Sequence, residues 1–485
     1  MVCETDCAAR HQSRWGGAKV NAFRSNQQAA RVVIVGGGFA GLYAARALAR
    51  TPVRVTVIDK HNYHLFRPML YQVATGLLSA DQVAAPLRSI LHRQQNVEVL
   101  MAEVTAVDVK RQIVVTDQGS SAYDFLIVAT GIHYNYFGHD EWKEVAPGLD
   151  TVDDADRIRG KILLAFEEAE NIAARYGADC EAVHELLTFV IVGGGTAGVE
   201  MAGTMAEMAR LALARDFRYI DPRSARILLY EAGPRILPSY PESLSRSSQR
   251  HLEELGVQVR VHQVVEKVDR EGVIVAGSRV RSRTVIWSAG VTASPAGKWL
   301  GAETDRSGRV KVTEDLSLPG RPNVFVIGDT AAVLAYTRNM LGQRSREKVL
   351  LPGVAQPAIQ EGKYVAKLIQ TRIAHTSPPS PFWYWDKGNM AIVGRTYAIA
   401  DLNFLRFSGF LAWLTWAVVH IYFLIGFANR LLVMFQWAVS FITKRRAVRI
   451  FPSDLQMATV PAHQLTDRAE LRCQAGDDAR NVRAG

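Results

Sequence analysis

Two short apolar runs, each followed by closely spaced glycines and an Ala-rich helical pattern, divide the chain into two similar units. The first run is Val32–Val35 and the second is Phe189–Val192. Uninterrupted runs rich in β-branched residues are typical of buried parallel strands. Each run has a partner further along the chain, Arg54–Ile58 for the first and Arg226–Tyr230 for the second. The pattern therefore predicts an α/β protein that contains two βαβ units.

The glycines after each apolar run have the G-x-G-x-x-G spacing of a dinucleotide-binding loop. The first glycine makes a tight turn, the second lets the backbone approach a pyrophosphate, and the third lets helix and strand pack closely. An acidic residue then ends each partner strand, at Asp59 and Glu231, where it can bind ribose hydroxyls. The sequence predicts two Rossmann-like sites, with Gly36, Gly38 and Gly41 in the first and Gly193, Gly195 and Gly198 in the second.

The second unit is predicted to be inserted in the first. The strand Tyr123–Gly131 precedes it and ends in three small residues that let the backbone lie against a ligand. The strand Val324–Asp329 follows it and ends in a glycine and an acid. Val97–Val99 and Ile113–Val115 are predicted as short strands of an inserted sheet. The predicted domains are a tail at 1–30, a first dinucleotide-binding domain at 31–150 and 319–403, an inserted domain at 151–318, membrane-associated helices at 404–451 and a tail at 452–485.

Two dinucleotide sites in one chain imply electron transfer from one nucleotide to the other. The first site then has to hold a cofactor that stays bound through turnover, and flavin adenine dinucleotide (FAD) fits. Asp329 can bind the ribityl and phosphate region of a flavin. At the second site, Glu231 would accept hydrogen bonds from a ribose diol and repel a 2′-phosphate, which favours NADH over NADPH. Arg235 lies close enough to Glu231 to leave the choice of nucleotide open.

The C-terminal region has the composition of a membrane-associated segment. Gly409–Ala428 contains no Asp, Glu, Lys or Arg, and the apolar segment Leu431–Thr443 follows it. Tryptophans are scattered through both segments, and four basic residues follow between positions 444 and 449. Aromatic and basic residues together favour helices that lie in one leaflet, among anionic headgroups. A spanning helix is one alternative, because 20 residues are long enough to cross a bilayer. A buried hairpin that closes the core is the other.

Composition and charge bear on two possible partners, a nucleic acid and a metal ion. The 485 residues are enough for two or three domains, and the net charge of +10 alone would allow an anionic membrane or a nucleic acid as a partner. No basic stripe or nucleic-acid-binding motif accompanies that charge, so we expect no nucleic-acid partner. The four cysteines are scattered and do not form paired metal-binding motifs, so we expect no metal site.

Beyond these patterns, the chain resembles the type II NADH dehydrogenases (NADH:quinone oxidoreductases), in the two-dinucleotide-binding flavoprotein superfamily, over roughly residues 30–450. The superfamily part of the resemblance consists of the motifs GGGFAG, ATG, GGGTAG and IGD. The family part consists of NYHLFRPMLYQVATG, VAQPAIQEG and WDKGNMAIVG, followed by the apolar C-terminus. The resemblance implies NADH oxidation through non-covalently bound FAD and reduction of a membrane quinone without proton pumping. It also implies a homodimer on the cytoplasmic face of the cell inner membrane.

The resemblance also implies roles for individual residues. The residues implied for FAD are Gly36, Gly38, Phe39, Ala40, Gly41, Asp59, Lys60, Thr130, Gly131, Gly328, Asp329, Ala355 and Gln356. Those implied for NADH are Gly193, Gly195, Thr196, Gly198, Glu200, Glu231, Ala289 and Gly290. The implied catalytic residues are Glu200 near the nicotinamide, Gln356 and Gln360 beside the isoalloxazine and the quinone, and Lys387 at the quinone pocket.

Each catalytic residue also has a structural interpretation. Gln356 and Gln360 are four positions apart on a predicted helix and could lie on a solvated face, although their apolar neighbours favour buried side chains that point at a ligand. Glu200 and Lys387 on their own would be an ordinary helix glutamate and a surface lysine.

The absence of flavin-proximal cysteines narrows the predicted chemistry. Disulfide reductases and sulfide:quinone reductases of this superfamily need cysteines beside the flavin, and residues 60–76 and 320–362 contain none. Hydride that arrives from NADH therefore needs a different acceptor, and the C-terminus points to a lipid-soluble quinone. A flavin-based NADH sensor, or a structural flavoprotein without quinone turnover, remains the alternative function.

Overall fold

A six-stranded sheet forms the first dinucleotide-binding unit in the computed structural model, which describes residues 29–450. Its central strand Ala30–Val35 pairs in parallel with Val53–Asp59 on one side and with Phe125–Val128 on the other. In spatial order the strands are Ser317–Leu318, Arg321–Val326, Phe125–Val128, Ala30–Val35, Val53–Asp59 and Val97–Met101. Only Ser317–Leu318 runs antiparallel to its neighbour within this sheet. The buried positions of the central strand explain its near-continuous apolar sequence.

A separate four-stranded parallel sheet forms the second unit. In spatial order its strands are Val257–Arg260, Arg226–Tyr230, Thr188–Val192 and Thr284–Trp287. All of them lie between Phe125–Val128 and Arg321–Val326 of the first sheet in the sequence, so the predicted insertion of one dinucleotide-binding fold in the other is confirmed. The antiparallel pair Ile132–Tyr134 and Val291–Ala293 joins the two units where the chain leaves and returns.

Short sheets decorate the two units. Each main sheet is interrupted in the sequence by a three-stranded antiparallel sheet. In the first unit this sheet contains Val104–Asp108, Ile113–Thr116 and Gly119–Ala122, before Phe125–Val128; in the second it contains Val265–Asp269, Gly272–Val275 and Ser278–Arg281, before Thr284–Trp287. The remaining small sheets contain Tyr63–Leu65 with Ala84–Pro86, Val310–Lys311 with Ala331–Ala332, and Val349–Leu350 with Leu334–Arg338 and Trp383–Trp385. The strand at Val97 thus belongs to the first main sheet, so its prediction as part of an inserted sheet was wrong.

Helices cover the sheets and carry the glycine-rich loops. Within the described residues the α-helices are Phe39–Ala47, Leu70–Ala74, Ala80–Val83, Leu87–Leu91, Val152–Tyr176, Glu181–Leu186, Thr196–Glu207, Glu242–Glu254, Ala296–Leu300, Ala355–Ile373, Phe410–Phe423 and Phe427–Thr443. Helix Phe39–Ala47 packs against Ala355–Ile373 at very short range, because a Cβ atom on Gly362 would lie 2.3 Å from the Ala40 carbonyl oxygen. This crossing brings the late helix beside the first glycine-rich loop.

The C-terminal region is an antiparallel sheet followed by two helices. The sheet contains Asn389–Gly394, Tyr397–Asp401 and Arg406–Gly409. The 20-residue apolar run does not form one helix. It divides after Phe423, and Gly426 precedes the second helix with a φ of +89°. Arg430 Nε donates to the Leu424 carbonyl oxygen at 2.6 Å and so stabilises the break. Among residues 29–450, no helix combines the length and apolar character needed to cross a membrane.

The end of the described chain is tied into both units. Arg446 is 8% exposed, and its guanidinium donates to the carbonyl and hydroxyl oxygens of Thr75 and to the carbonyl oxygen of Thr204. Burial lowers the pKa of Arg446 to about 10. Thr75 belongs to the first unit and Thr204 to the inserted unit, so one side chain bridges them. The predicted tails and Phe451 lie outside the described residues, except for positions 29 and 30.

Candidate dinucleotide and electron-transfer site

The first glycine-rich loop is built to leave room for a phosphate group. Gly36 has a φ of +104°, and a Cβ there would lie 2.3 Å from the Ala129 carbonyl oxygen. A Cβ on Gly41 would lie 1.9 Å from the Gly36 carbonyl oxygen, so these two glycines are required by the backbone itself. Gly38, at the N-terminus of helix Phe39–Ala47, faces open space with no atom within 4 Å of a built Cβ. This geometry fits a pyrophosphate at the helix N-terminus.

Asp59 is held beside this loop by backbone donors. Its carboxylate accepts hydrogen bonds from the N–H groups of Gly37 at 2.6 Å and His61 at 2.7 Å. Lys60, the next residue, is exposed. The buried His64 ring contacts the Gly37 carbonyl oxygen through Nδ1 at 2.9 Å, and burial lowers its pKa to about 4. Asp59, the acid predicted to bind ribose hydroxyls, is therefore fixed at the edge of the loop.

The inserted unit repeats this arrangement. Gly193 has a φ of +109°, a Cβ on Gly198 would lie 1.9 Å from the Gly193 carbonyl oxygen, and Gly195 faces open space. The Glu231 carboxylate accepts from the N–H groups of Gly194 at 2.6 Å and Gly233 at 2.7 Å. Thr196 begins the following helix. Two independent sequences thus reach the same geometry, which supports a second dinucleotide site.

The strand ends of the first unit form the opposite wall of its site. Gly131 N donates to the Thr330 hydroxyl oxygen at 2.7 Å, and the Thr130 hydroxyl lies 2.5 Å from that of Ser294. Gly328 has a φ of +68° and places Asp329 at this edge. Burial raises the pKa of the Asp329 carboxyl above its ordinary value, while Arg67 and Arg309 act in the opposite direction.

Glu361 supports the Gly328–Asp329 turn from behind. It is 2% exposed, and its carboxyl accepts a hydrogen bond from Gly328 N at 2.6 Å. Burial, with a further contribution from Asp329, raises the pKa of Glu361 to about 8. Asp329 and Glu361 are thus two neighbouring acidic groups buried at one side of the predicted flavin site.

Glu200 is a buried carboxyl where the two units meet the C-terminal sheet. It is 7% exposed, and Ile392 N lies 3.5 Å from Oε1, at the limit of a hydrogen bond. Burial raises the pKa of Glu200 well above its ordinary value, and burial also raises the pKa of the neighbouring Tyr71 hydroxyl. A carboxyl with so little solvation suits proton exchange near a reacting group.

The predicted quinone residues lie around the strand Trp383–Trp385. Gln360 Nε2 donates to the Trp385 carbonyl oxygen at 3.0 Å, and Trp385 N donates to Gln360 Oε1 at 2.9 Å. Lys387 Nζ lies 4.9 Å from the centroid of the Trp385 ring and 5.8 Å from that of Phe423. Gln356, one turn before Gln360, is half-buried. Gln360, Trp385 and Lys387 therefore connect the long helix Ala355–Ile373 to the apolar helix that ends at Phe423.

Comparison with known proteins identifies the family. The pyridine nucleotide-disulphide oxidoreductase family model matches residues 30–362, and the NDH2 C-terminal domain model matches residues 386–446. The type II NADH:quinone oxidoreductase Ndh of Mycobacterium tuberculosis is 42% identical over 468 residues, which cover 93% of this chain and 96% of that protein. The second such enzyme of that organism, NdhA, is 40% identical over 469 residues, again covering 93% and 96%.

The chain belongs to the type II NADH:quinone oxidoreductase family. The solved structure of NDH2 from Plasmodium falciparum in complex with NADH has a TM-score of 0.76 to this chain at 20% identity. The alignment covers 86% of this chain and 99% of that one, so the two proteins share the fold.

In this type II NADH:quinone oxidoreductase, the predicted residues fall into three groups. The two glycine-rich loops with their acids have the geometry expected of nucleotide sites, and the helix Ala355–Ile373 reaches the first of them. Ala289 and Gly290 follow the strand Thr284–Trp287 at the edge of the second site, where a Cβ on Gly290 would lie 2.4 Å from Cζ of the exposed Phe137 ring. Both ends of the Gln360 amide bind backbone groups of Trp385, and its place beside the isoalloxazine and the quinone stays a prediction.

Sequence reasoning missed several polar residues of this type II NADH:quinone oxidoreductase. Arg67 forms an ion pair with Asp150 and donates to the Ile132 carbonyl oxygen at 3.1 Å, which joins the first unit to the segment that leads into the insertion. Glu361 stood directly beside Gln360 in the motif VAQPAIQEG, and its position on the buried face of the helix was the available signal. No group of three or more His, Cys, Asp or Glu side chains in residues 29–450 could hold a metal ion.

Proposed function

We propose that the two dinucleotide-binding units of this NADH:quinone oxidoreductase divide the work, the first holding FAD and the inserted one binding NADH. The observation that carries the assignment is the pair of matching loops, each with an open middle glycine and a carboxylate fixed by backbone N–H donors. Bound FAD supplies a carrier that accepts a hydride from NADH and passes electrons to a quinone. The protein's own contribution is to bind, orient and shield the reactants.

On the flavin side, the residues that would hold FAD come from three parts of the first unit. Gly38 and the N-terminus of the following helix offer backbone donors to the pyrophosphate, with Phe39, Ala40 and Gly41 in the same turn. Asp59 would accept from ribose hydroxyls, with Lys60 beside it. The strand-end residues Thr130, Gly131, Gly328 and Asp329, together with Ala355 and Gln356 at the start of the long helix, would enclose the rest.

On the nicotinamide side, Glu231 would select NADH. Its carboxylate accepts from two backbone donors, which leaves acceptor capacity directed toward a ribose diol and places a negative charge where a 2′-phosphate would otherwise lie. Glu200, buried nearby on the same helix that begins at Thr196, would exchange a proton near the nicotinamide or the quinone. Gly195, Ala289 and Gly290 would leave space for the nucleotide backbone.

On the quinone side, Gln356 and Lys387 would line the access to the flavin. Lys387 lies between the Trp385 and Phe423 rings, and Phe423 ends the first apolar C-terminal helix. A ring-shaped apolar substrate that arrives along this helix would meet a cation and aromatic faces before it reaches the long helix. Gln360 would act as a positioning residue, because it fixes the Trp385 strand.

The half-reactions of the holoenzyme test the quinone assignment. Stopped-flow absorbance measures reduction by NADH and reoxidation by a short-chain quinone separately. Gln356→Ala or Lys387→Ala should slow reoxidation about tenfold or more, as for the loss of one polar contact with the quinone. Reduction should stay nearly unchanged, because Ala355 and the strand-end residues still enclose FAD when Gln356 is replaced. Lys367→Ala, on an exposed position of the same helix, serves as the matched control. An equal loss in both halves would show that the replaced residue acts through FAD binding and not at the quinone.

We further propose that the enzyme works as a peripheral protein at the cytoplasmic face of the inner membrane, on an anionic lipid surface. Large apolar side chains on the two C-terminal helices support this, since Leu411 is 69% exposed, Phe427 77% and Ile442 80%, which is unusual for a surface that meets only water. Two properties stay predictions: proteoliposomes with an internal pH dye should show no proton translocation, and sedimentation should show a homodimer.

A further inference from the structure

We propose that the β-hairpin turn Asn339–Gln343 is a second membrane contact, which inserts two apolar side chains into an anionic bilayer beside the C-terminal helices. The inference deepens the proposed peripheral association and rests on it. It concerns a surface that belongs to none of the predicted nucleotide or quinone residues. Met340 is 49% exposed and Leu341 is 61% exposed at the tip of this turn.

The turn holds these two side chains outward in an ordered conformation. Asn339 Oδ1 accepts from Leu341 N at 3.1 Å and from Gln343 N at 2.9 Å, and Asn339 N donates to the Gln343 carbonyl oxygen at 2.9 Å. Gly342 supplies the positive φ of +82° that the turn needs. Because the backbone is already fixed, insertion of the tip would cost little additional conformational entropy.

The base of the hairpin lies close to Lys387, which contacts the first apolar C-terminal helix. Strand Leu334–Arg338 pairs with Trp383–Trp385 so that Arg338 is opposite Trp385, and Asp386 N donates to the Arg338 carbonyl oxygen at 2.8 Å. The turn therefore leaves the sheet at the level of Lys387, whose Nζ lies 5.8 Å from the centroid of the Phe423 ring. Tyr422, the neighbour of Phe423, is 68% exposed. Lys387 thus links the base of the hairpin to the helix that carries this exposed side chain.

The basic residues around the turn favour an anionic bilayer over a second copy of the chain as its partner. Residues 338–348 contain four basic side chains and one acidic one, namely Arg338, Arg344, Arg346 and Lys348 with Glu347. Arg346 is exposed and next to the turn. An apolar tip flanked by cations complements anionic headgroups above an acyl boundary. A symmetric contact between two copies would instead bring the same basic residues together.

Vesicle binding of the full-length holoenzyme tests the inference. The double variant Met340→Asp/Leu341→Asp should bind vesicles of phosphatidylcholine with phosphatidylglycerol about tenfold more weakly than wild type, because two charges replace the inserted side chains. Arg346→Glu should weaken binding to these vesicles and leave binding to phosphatidylcholine alone unchanged. The matched control is Tyr219→Asp/Val264→Asp, at positions of the inserted unit that are 57% and 59% exposed. FAD content and NADH oxidation with a water-soluble quinone should stay at the wild-type level in every variant.

The possible outcomes separate this inference from the proposed membrane association. Wild-type protein that does not bind vesicles would refute the membrane association itself. Wild-type binding that the hairpin variants leave unchanged would refute only the role of the hairpin. Loss of self-association in the double variant, with vesicle binding unchanged, would assign the turn to a dimer interface and overturn the inference. If the double aspartate variant loses FAD, Met340→Ser/Leu341→Ser replaces it, and the same fall in vesicle binding is required.

Discussion

At the scale of single residues, Asp59 and Glu231 show how one geometry is reached by two different acids. Each ends the second strand of its unit, and each accepts a hydrogen bond from the N–H group that follows the first glycine of the loop. The carboxylate binds a backbone N–H group that would otherwise bind water, and this fixes its orientation toward the predicted ribose position. We propose that the charge at this position in the inserted unit sets the choice between NADH and NADPH.

Glu231→Gln should reduce the use of NADH and relax discrimination against NADPH. The amide keeps one acceptor for the loop but loses the charge that binds the ribose diol and repels a phosphate, worth about 1–3 kcal/mol for a charged hydrogen bond. Steady-state kcat/KM for both nucleotides measures this change. Glu271→Gln, with an exposed glutamate of the same unit, should change neither value. Wild-type enzyme that uses NADPH as well as NADH would contradict the assignment of Glu231.

Glu361 predicts a pH dependence of stability. Its pKa of about 8 in the folded protein lies above its ordinary value of 4.5, so the folded state favours the protonated form. The stability that this group contributes is fully present below pH 4.5 and is lost as the pH rises toward 8. Glu361→Gln keeps an acceptor for Gly328 N without the ionisation. In denaturant titrations from pH 5 to 8, the variant should therefore gain stability relative to wild type as the pH rises. A constant difference across this range would show that Glu361 does not titrate there.

At the scale of elements, the sequence predicted what depends on local pattern. The two βαβ units, their glycine loops and the acids that follow them were all predicted, because buried strands and tight turns restrict which residues can occupy them. The helix break at Gly426 was not predicted. An apolar run does not reveal that Arg430 will donate to the Leu424 carbonyl oxygen and end the first helix. The contacts of Gln360, Glu361 and Arg67 were likewise invisible, since each partner lies in a distant part of the sequence.

Gly362→Ala tests the crossing of the helices Phe39–Ala47 and Ala355–Ile373. The added Cβ would lie 2.3 Å from the Ala40 carbonyl oxygen, so one helix must move, at a cost of about 1–3 kcal/mol for an overpacked core. We expect a lower unfolding temperature and faster loss of FAD on dilution, because the displaced helix borders the first glycine loop. Lys367→Ala at an exposed site of the same helix should change neither. Unchanged FAD retention in Gly362→Ala would show that this crossing does not shape the cofactor site.

At the scale of the whole molecule, the C-terminal region is part of the core as well as a candidate membrane surface. Trp416 and Val433 are fully buried, and Trp437 Nε1 donates to Gln72 Oε1 at 2.8 Å. The sequence alone suggests that truncation before Phe404 would leave a more soluble protein that keeps FAD. These contacts change that expectation, because truncation would expose apolar side chains of both units. Substitutions on the exposed face are the cleaner test.

The triple variant Leu411→Ser/Phe435→Ser/Ile442→Ser should detach the enzyme from vesicles. These side chains are 69%, 70% and 80% exposed, so their replacement removes apolar surface without opening the core. Co-sedimentation with phosphatidylcholine–phosphatidylglycerol vesicles should fall at least tenfold, at roughly 1.5–3 kcal/mol for each buried side chain. FAD content and activity with a water-soluble quinone should persist. Full vesicle binding by this variant would place the membrane contact elsewhere on the molecule.

The sidedness of the membrane contact can be measured through Cys473. If the helices lie in one leaflet, a membrane-impermeant thiol reagent should reach Cys473 from the side of sealed vesicles where NADH is oxidised. Labelling from the opposite side alone would require a chain that crosses the bilayer.

The bridge made by Arg446 has a mechanical consequence. Its guanidinium joins the segment behind the last apolar helix to Thr75 and to Thr204, one in each dinucleotide-binding unit. If the two helices lie on a bilayer as proposed, a force that the membrane exerts on them reaches both units together through Arg446. Such a force would move the two units as one body and would leave the distance between the two glycine-rich loops unchanged.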